Sequence, residues 1–212
     1  MSRCPTRRIR ERASGFHEAG HAIVVFFLAA VFCGLLTSLG TVSAEITERG
    51  LGILYGSDHA FALRAPNGWM LDNESGVEQG LYAVFYPKGT NWRDSVVVAY
   101  ARARERTQEI ASAADAVRDT IDDFHASGSP NYHGRRIKTV KIDGGKEAVI
   151  YHFAGDQWGN SEAVAYYVEK KTINFIVLTS RDPQAFDRAL PAFKALVRSY
   201  VFMGDDPLRQ GK

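Results

Sequence analysis

The sequence predicts an α+β domain in which an antiparallel sheet is sandwiched between helices, α/β/α. Two helical patterns, over residues 110–124 and 182–200, are separated by a run of strand patterns, which argues for segregated helices and strands. Asp143-Gly144-Gly145 joins two of those strands by a turn short enough to require an antiparallel hairpin. Residues 95–102, SVVVAYAR, are apolar on both alternating faces, as a strand covered on each side must be.

The elements follow in order. Residues 58–65 alternate as a strand, Pro66-Asn67-Gly68 turns the chain, and residues 81–86 continue the sheet as far as Pro87. After the strand at 95–102, Ile110, Ala114, Val117, Ile121 and Phe124 recur at helical spacing. Ser112 and Asp115 have capping-box spacing at its start, and Gly128 stops it. Four strands are expected at residues 135–142, 147–154, 161–169 and 173–180. Asp182 is a helix N-cap with Pro183 in the first turn, where no donor is needed. Phe186, Leu190, Phe193, Val197 and Tyr200 form the apolar face of this last helix, which Pro191 is expected to kink or break.

Ahead of this body the chain has the order of an export signal. Arg3, Arg7, Arg8, Arg10 and Arg12 precede an apolar stretch at residues 22–36, and Val42-Ser43-Ala44 is a small-residue cleavage site. The expectation is a signal peptide over residues 1–44, cut between Ala44 and Glu45, and a secreted or periplasmic mature protein. The alternative is a membrane anchor retained at residues 22–39. A flexible lead-in at 45–57, a domain at 58–203 and a C-terminal tail at 204–212 complete the division.

One string in that leader carries chemistry. His17-Glu18-Ala19-Gly20-His21 places two imidazoles one helical turn apart, able to share a zinc, with Glu18 as general base. HEAGHAIV resembles the metal-binding helix of membrane-anchored ATP-dependent zinc proteases and, more loosely, the motif of site-2 proteases. That resemblance implies a membrane-tethered zinc protease, the alternative function. A catalytic zinc needs a third protein ligand and a body to hold it; residues 1–16 contain no phosphate loop, and after Leu39 no apolar run approaches the roughly 20 residues of a membrane span. The motif is therefore read as the polar shoulder of the leader, with no metal site and no catalytic residue assigned.

Composition then excludes a nucleic-acid binder. Residues 1–44 hold five arginines against two glutamates, so a whole-chain charge of +2 leaves residues 45–212 near −1 with neutral histidines. Such a body lacks the clustered cations that neutralise phosphates. Arg102, Arg104 and Arg106 alternate, but Glu105 interrupts them, and they read as a strand end. Both cysteines, Cys4 and Cys33, fall in the leader, so the mature chain has no disulfide or thiol chemistry. His59, His125, His133 and His152 are scattered without ligand spacing, Asp156 beside His152 reads as a solvated turn, and Gly144-Gly145-Lys146 lacks the length of a phosphate loop. No cofactor is expected. Trp92 with Arg93, and Trp158, stand in turn segments and are the candidate recognition surface; the competing reading folds both rings onto the sheet.

The order of motifs resembles the PsbP-like superfamily, the fold of the photosystem II extrinsic protein and its bacterial relatives. FALRAPNGW at residues 61–69 is similar to its opening strand and Pro-x-Gly-Trp turn, IDGGKEAVIYHF at 142–153 to its Asp-Gly hairpin and aromatic strand, and INFIVLTS with FDRALPAFKALVRSYVF to its closing strand and helix. The likeness runs over residues 58–202. It implies a non-catalytic accessory or binding protein, here one that meets an envelope or secreted protein, with contact to a membrane only through an uncleaved N-terminus.

Overall fold

The computed structural model describes residues 43–47, 50–142 and 145–205. In chain order the elements are β1 (Ser43–Thr47), β2 (Leu51–Tyr55), β3 (Ala60–Arg64), β4 (Trp69–Asp72), β5 (Val84–Pro87), β6 (Val97–Glu105), α1 (Ala113–Ala126), β7 (His133–Lys141), β8 (Glu147–Ala154), β9 (Ser161–Val168), β10 (Thr172–Ser180), α2 (Pro183–Arg198) and β11 (Val201–Gly204). They form a seven-stranded sheet in the order β4-β5-β6-β10-β9-β8-β7 and a four-stranded sheet in the order β1-β2-β3-β11. Every strand pair is antiparallel.

Alternation along the central strands divides the core between the two faces of the large sheet. Ala99, Ala101, Ala163, Ala165, Ile176 and Leu178 meet Phe186, Ala189, Phe193 and Val197 of α2. Tyr100, Val164, Tyr166 and Val177 point the other way, onto Ala113, Ala116 and Val117 of α1. Small residues on the α2 face leave room for the large side chains of that helix. Leu54, Phe61 and Leu63 of the smaller sheet join the α2-side core. This is the expected α/β/α arrangement, with a second sheet that the sequence reading did not separate.

Both helices begin where their polar residues place them. Ser112 Oγ accepts from Asp115 N at 3.2 Å while Asp115 Oδ2 accepts from Ser112 N at 3.0 Å, so the capping box satisfies donors the first turn leaves free. Asp182 Oδ1 accepts from Gln184 N and Ala185 N at 2.8 and 3.0 Å. Gly128, at φ 93°, takes the left-handed turn just beyond α1.

Three expectations change. The lead-in at 45–57 is largely strand: β2 pairs with β3 throughout, and Leu54 is 1% exposed. Its glycines mask the pattern, because Gly52 is needed for close packing: a Cβ there would stand 2.7 Å from Leu71 Cδ2. Pro191 does not break α2, which runs through it to Arg198. Pro191 and Asp187, whose carbonyl loses its donor, both lie on the exposed side of the helix, where that carbonyl stays open to solvent. Finally, β4 is a strand where only a turn was expected, with Trp69 and Leu71 buried on its inner side.

Among the described residues no helix is long and apolar enough to cross a membrane. His17, Glu18 and His21 lie outside the described residues, as do the apolar stretch at 22–39 and the hairpin residues Asp143 and Gly144. The expected cleavage point, Ala44 to Glu45, falls within β1, where these residues pair with Leu54 and Ile53.

Candidate functional site

Strand β7, HGRRIKTVK, occupies one edge of the large sheet. It forms because it can pair with β8 over its length: Arg135 is the register partner of His152, and Lys141 of Glu147, with a shift between Arg136 and Lys138. Gly134 permits this approach, since a Cβ at that position would stand 2.6 Å from the Phe153 ring. Phe153 in turn stacks on Tyr132 at 5.4 Å, which stacks on Phe124 of α1 at 3.9 Å. Stacked rings thus tie the edge strand to α1.

Residues of one face of β7 and β8 border an open cleft of about 260 Å³ beside the first turn of α2, lined by His133, Arg135, His152, Ser161 and Phe186 among others. The His152 ring meets Phe186 edge-on, with centroids 5.7 Å apart. Burial holds the His152 imidazole below the usual histidine range, the Arg135 and Lys194 charges push the same way, and Asp187 opposes them. Arg135 is then the permanent charge of a cleft with an aromatic wall.

At the cleft's floor, Glu162 turns its carboxylate toward the α1 side and accepts a 2.6 Å hydrogen bond from the Tyr132 hydroxyl. Burial raises its carboxyl to about 7, with Asp156 adding to the effect and the Tyr132 bond and Thr179 working against it. The group is directed inward and serves the core.

What distinguishes β7 is a dense run of like charge. Arg135, Arg136, Lys138 and Lys141 are four cations in nine residues that contain no carboxylate. Arg135, Lys138 and Lys141 form no ion pair among the described residues; Arg136 donates to Thr139 Oγ1 at 3.0 Å. Three other basic residues are committed within the fold. Arg104 pairs with Asp119 at 2.7 Å, and Arg106 donates to the carbonyls of Ala111 and Glu169 at 2.9 and 3.2 Å. Lys146, from the fragment that looked like a phosphate loop, pairs with buried Glu169 and stands 4.2 Å above the Phe202 ring. Glu169 also accepts from Tyr200 at 3.0 Å, whose oxygen accepts from Asn174 Nδ2 at 2.8 Å. That chain of bonds fastens the residue before β8, the turn after β9, strand β10 and the segment after α2 together.

The tryptophans fare differently from one another. Trp92 is 7% exposed and packs in the α1-side core, with Nε1 donating to Gln79 Oε1 at 3.1 Å. It is therefore removed from the recognition surface, although neighbouring Arg93 is exposed. Trp158 is half-buried and meets Phe124 edge-on at 6.3 Å, while Asp156 accepts from its backbone N–H and from Asn160 N. Asp156 thus organises a turn and does not pair with His152. Trp92 and Trp158 occupy different loops, and no ring contact joins them among the described residues. His125 Nε2 lies 2.8 Å from the Tyr132 carbonyl, at the end of α1. Among the described residues no three His, Cys, Asp or Glu side chains are grouped to hold a metal.

The site missed from sequence is the β7 edge. Its signal, four cations with no carboxylate, is visible in the letters, but edge position depends on the strand order.

No protein-family model matches the chain, and no curated protein matches it. Among solved structures it is similar to cyanobacterial PsbP from Synechocystis sp. PCC 6803, at 14% identity and a TM-score of 0.44, over 81% of this chain and 97% of that one. It is also similar to the Ran-binding protein Mog1p of Saccharomyces cerevisiae, at 8% identity and a TM-score of 0.38, over 76% of this chain and 95% of that one. A Pseudomonas aeruginosa protein of unknown function shows 14% identity and a TM-score of 0.38, over 76% and 97% of the respective chains.

Proposed function

We propose that this is an exported, non-catalytic binding protein whose contact surface for an envelope or secreted protein is the β7 edge and the adjoining cleft. The observation that supports this most is the run of cations on β7, of which Arg135, Lys138 and Lys141 form no ion pair among the described residues. A run of like charge along one strand suits a surface that selects a partner by charge. An edge strand also presents backbone donors and acceptors on its open side. Export is supported by the order of arginines, apolar stretch and small residues in residues 1–44.

The test is co-purification of the tagged full-length protein from the host envelope fraction, followed by hydrogen exchange on the recovered complex. Protection confined to residues 133–141 and 152–154 is the expected result. A complex protected only elsewhere, or a protein that remains alone in every fraction, contradicts the proposal.

A further inference from the structure

We infer that the β7 edge receives an acidic, extended polypeptide segment, whose carboxylates meet Arg135, Lys138 and Lys141 and one of whose apolar side chains enters the cleft beside Phe186. This rests on the binding reading above and adds the chemistry of the partner.

Shape and charge lead to the same occupant. The cations are arranged along a single strand of nine residues, so they match a ligand with charges repeated along a line. At about 3.3 Å per residue an extended chain beside β7 keeps step with them. His133 and Arg135 occupy alternate positions opposite Ala154 and His152, while Arg136, opposite Tyr151, belongs to the other face. Charge is therefore offered on both faces, with the aromatic-walled cleft on one. Among the described residues, Glu147 faces only Lys141 across the ladder, Asp187 lies near His152 on α2, and Glu162 is bonded to Tyr132, which leaves Arg135 and Lys138 without a carboxylate partner.

Other polyanions fit less well. Single-stranded nucleic acid is held by exposed aromatic rings between the cations; among the described residues the large exposed apolar side chains are Met70, Val77, Val96, Val168, Val201 and Met203, none aromatic and none on β7. The same absence leaves β7 with nothing to insert into a lipid surface.

Edge cations also have a simpler role, keeping strands of separate molecules from pairing, and the experiment separates the two. The mature protein, as recovered from its host, is titrated into a labelled Glu-Val decapeptide of glutamates with two adjacent central valines, one for each face, with the matching Lys-Val decapeptide, an oligothymidylate and phosphatidylglycerol vesicles as the other probes. Binding is expected only for the Glu-Val peptide, and it should weaken about tenfold between low and physiological salt, as screening shortens the reach of the charges. Arg135→Glu with Lys138→Glu should weaken it by about tenfold or more, since like charges then meet, while Lys88→Glu makes a single charge reversal at an exposed position of the β5–β6 loop and leaves it unchanged. Arg135→Ala with Lys138→Ala repeats the test without introduced carboxylates, and circular dichroism verifies folding of each variant. No binding of the Glu-Val peptide, binding indifferent to these substitutions, or tighter binding to the oligonucleotide or vesicles overturns the inference. If an envelope partner is still recovered by the Arg135→Glu, Lys138→Glu protein, the binding reading stands and this inference alone falls.

Discussion

Tyr132 and Glu162 share a 2.6 Å hydrogen bond between the segment entering β7 and strand β9, and the carboxyl so held is raised to about 7. Burial is the main cause. The folded state therefore keeps a proton that the unfolded chain releases above the ordinary value of 4.5. Glu162 contributes stability that is fully present below that value and lost as pH rises through about 7. Glu162→Gln retains an acceptor for Tyr132 without the charge, so its melting temperature should fall less between pH of about 5 and about 8 than that of the wild type. Parallel thermal melts across this range check it; equal slopes contradict it.

His59 sits on the opposite side of the pH balance. It is 7% exposed, its Nε2 has no hydrogen-bond partner among the described residues, and burial lowers its pKa below 6.5 against the pull of Asp58. Its contribution is present above 6.5 and declines as the solution becomes more acidic. In an NMR titration the His59 ring should remain neutral at a pH of about 6.5, where an unperturbed imidazole is half protonated. A ring charged at that pH is the contrary result.

Tyr200 joins Asn174 to Glu169 in the interior, and its ring stacks on Tyr167 at 3.8 Å. Tyr200→Phe keeps the stack and leaves two buried polar partners short of a bond, so it should cost about 1–3 kcal/mol. Urea denaturation measures this directly, and a loss below about 0.5 kcal/mol would show that neither partner depended on the hydroxyl.

Pro191 interrupts the hydrogen-bond ladder of α2 on its exposed side. Pro191→Ala should restore the bond to Asp187 and raise helix stability by about 1–3 kcal/mol. Ser112→Ala should lower it at α1 by about 1 kcal/mol through loss of the capping box. Denaturant midpoints moving in opposite directions for the two variants are expected.

Intact mass of protein recovered from the native host should correspond to a chain beginning at Glu45, which lacks His17, Glu18 and His21. A retained N-terminus carrying one equivalent of zinc, with a phenotype abolished by Glu18→Gln, would instead favour the protease alternative.

Features set by local chemistry were legible in the letters. Ser112, Asp115, Asp182 and Gly128 mark helix ends because capping needs only near neighbours. The strands from Glu147 to Ser180 were legible because β-branched and aromatic residues run between turn residues. Features set by distant contacts were hidden. Gly52 looks like a loop residue until Leu71 is beside it, and Trp92, between Asn91 and Arg93, looks exposed until Gln79 supplies its acceptor. Strand β7 reads as one strand among several, since sheet order, and so an unpaired edge, is a property of the whole topology.

The central claim is that this protein works by holding a protein partner along β7. Photo-crosslinking in the native host from a reactive side chain placed at Lys138, with a matched placement at exposed Asp122 on α1, tests it most directly. The account predicts one discrete crosslinked partner from position 138, absent from position 122 and lost when Arg135 is also changed to Glu. Identical crosslinks from both positions, or none from position 138, would contradict it.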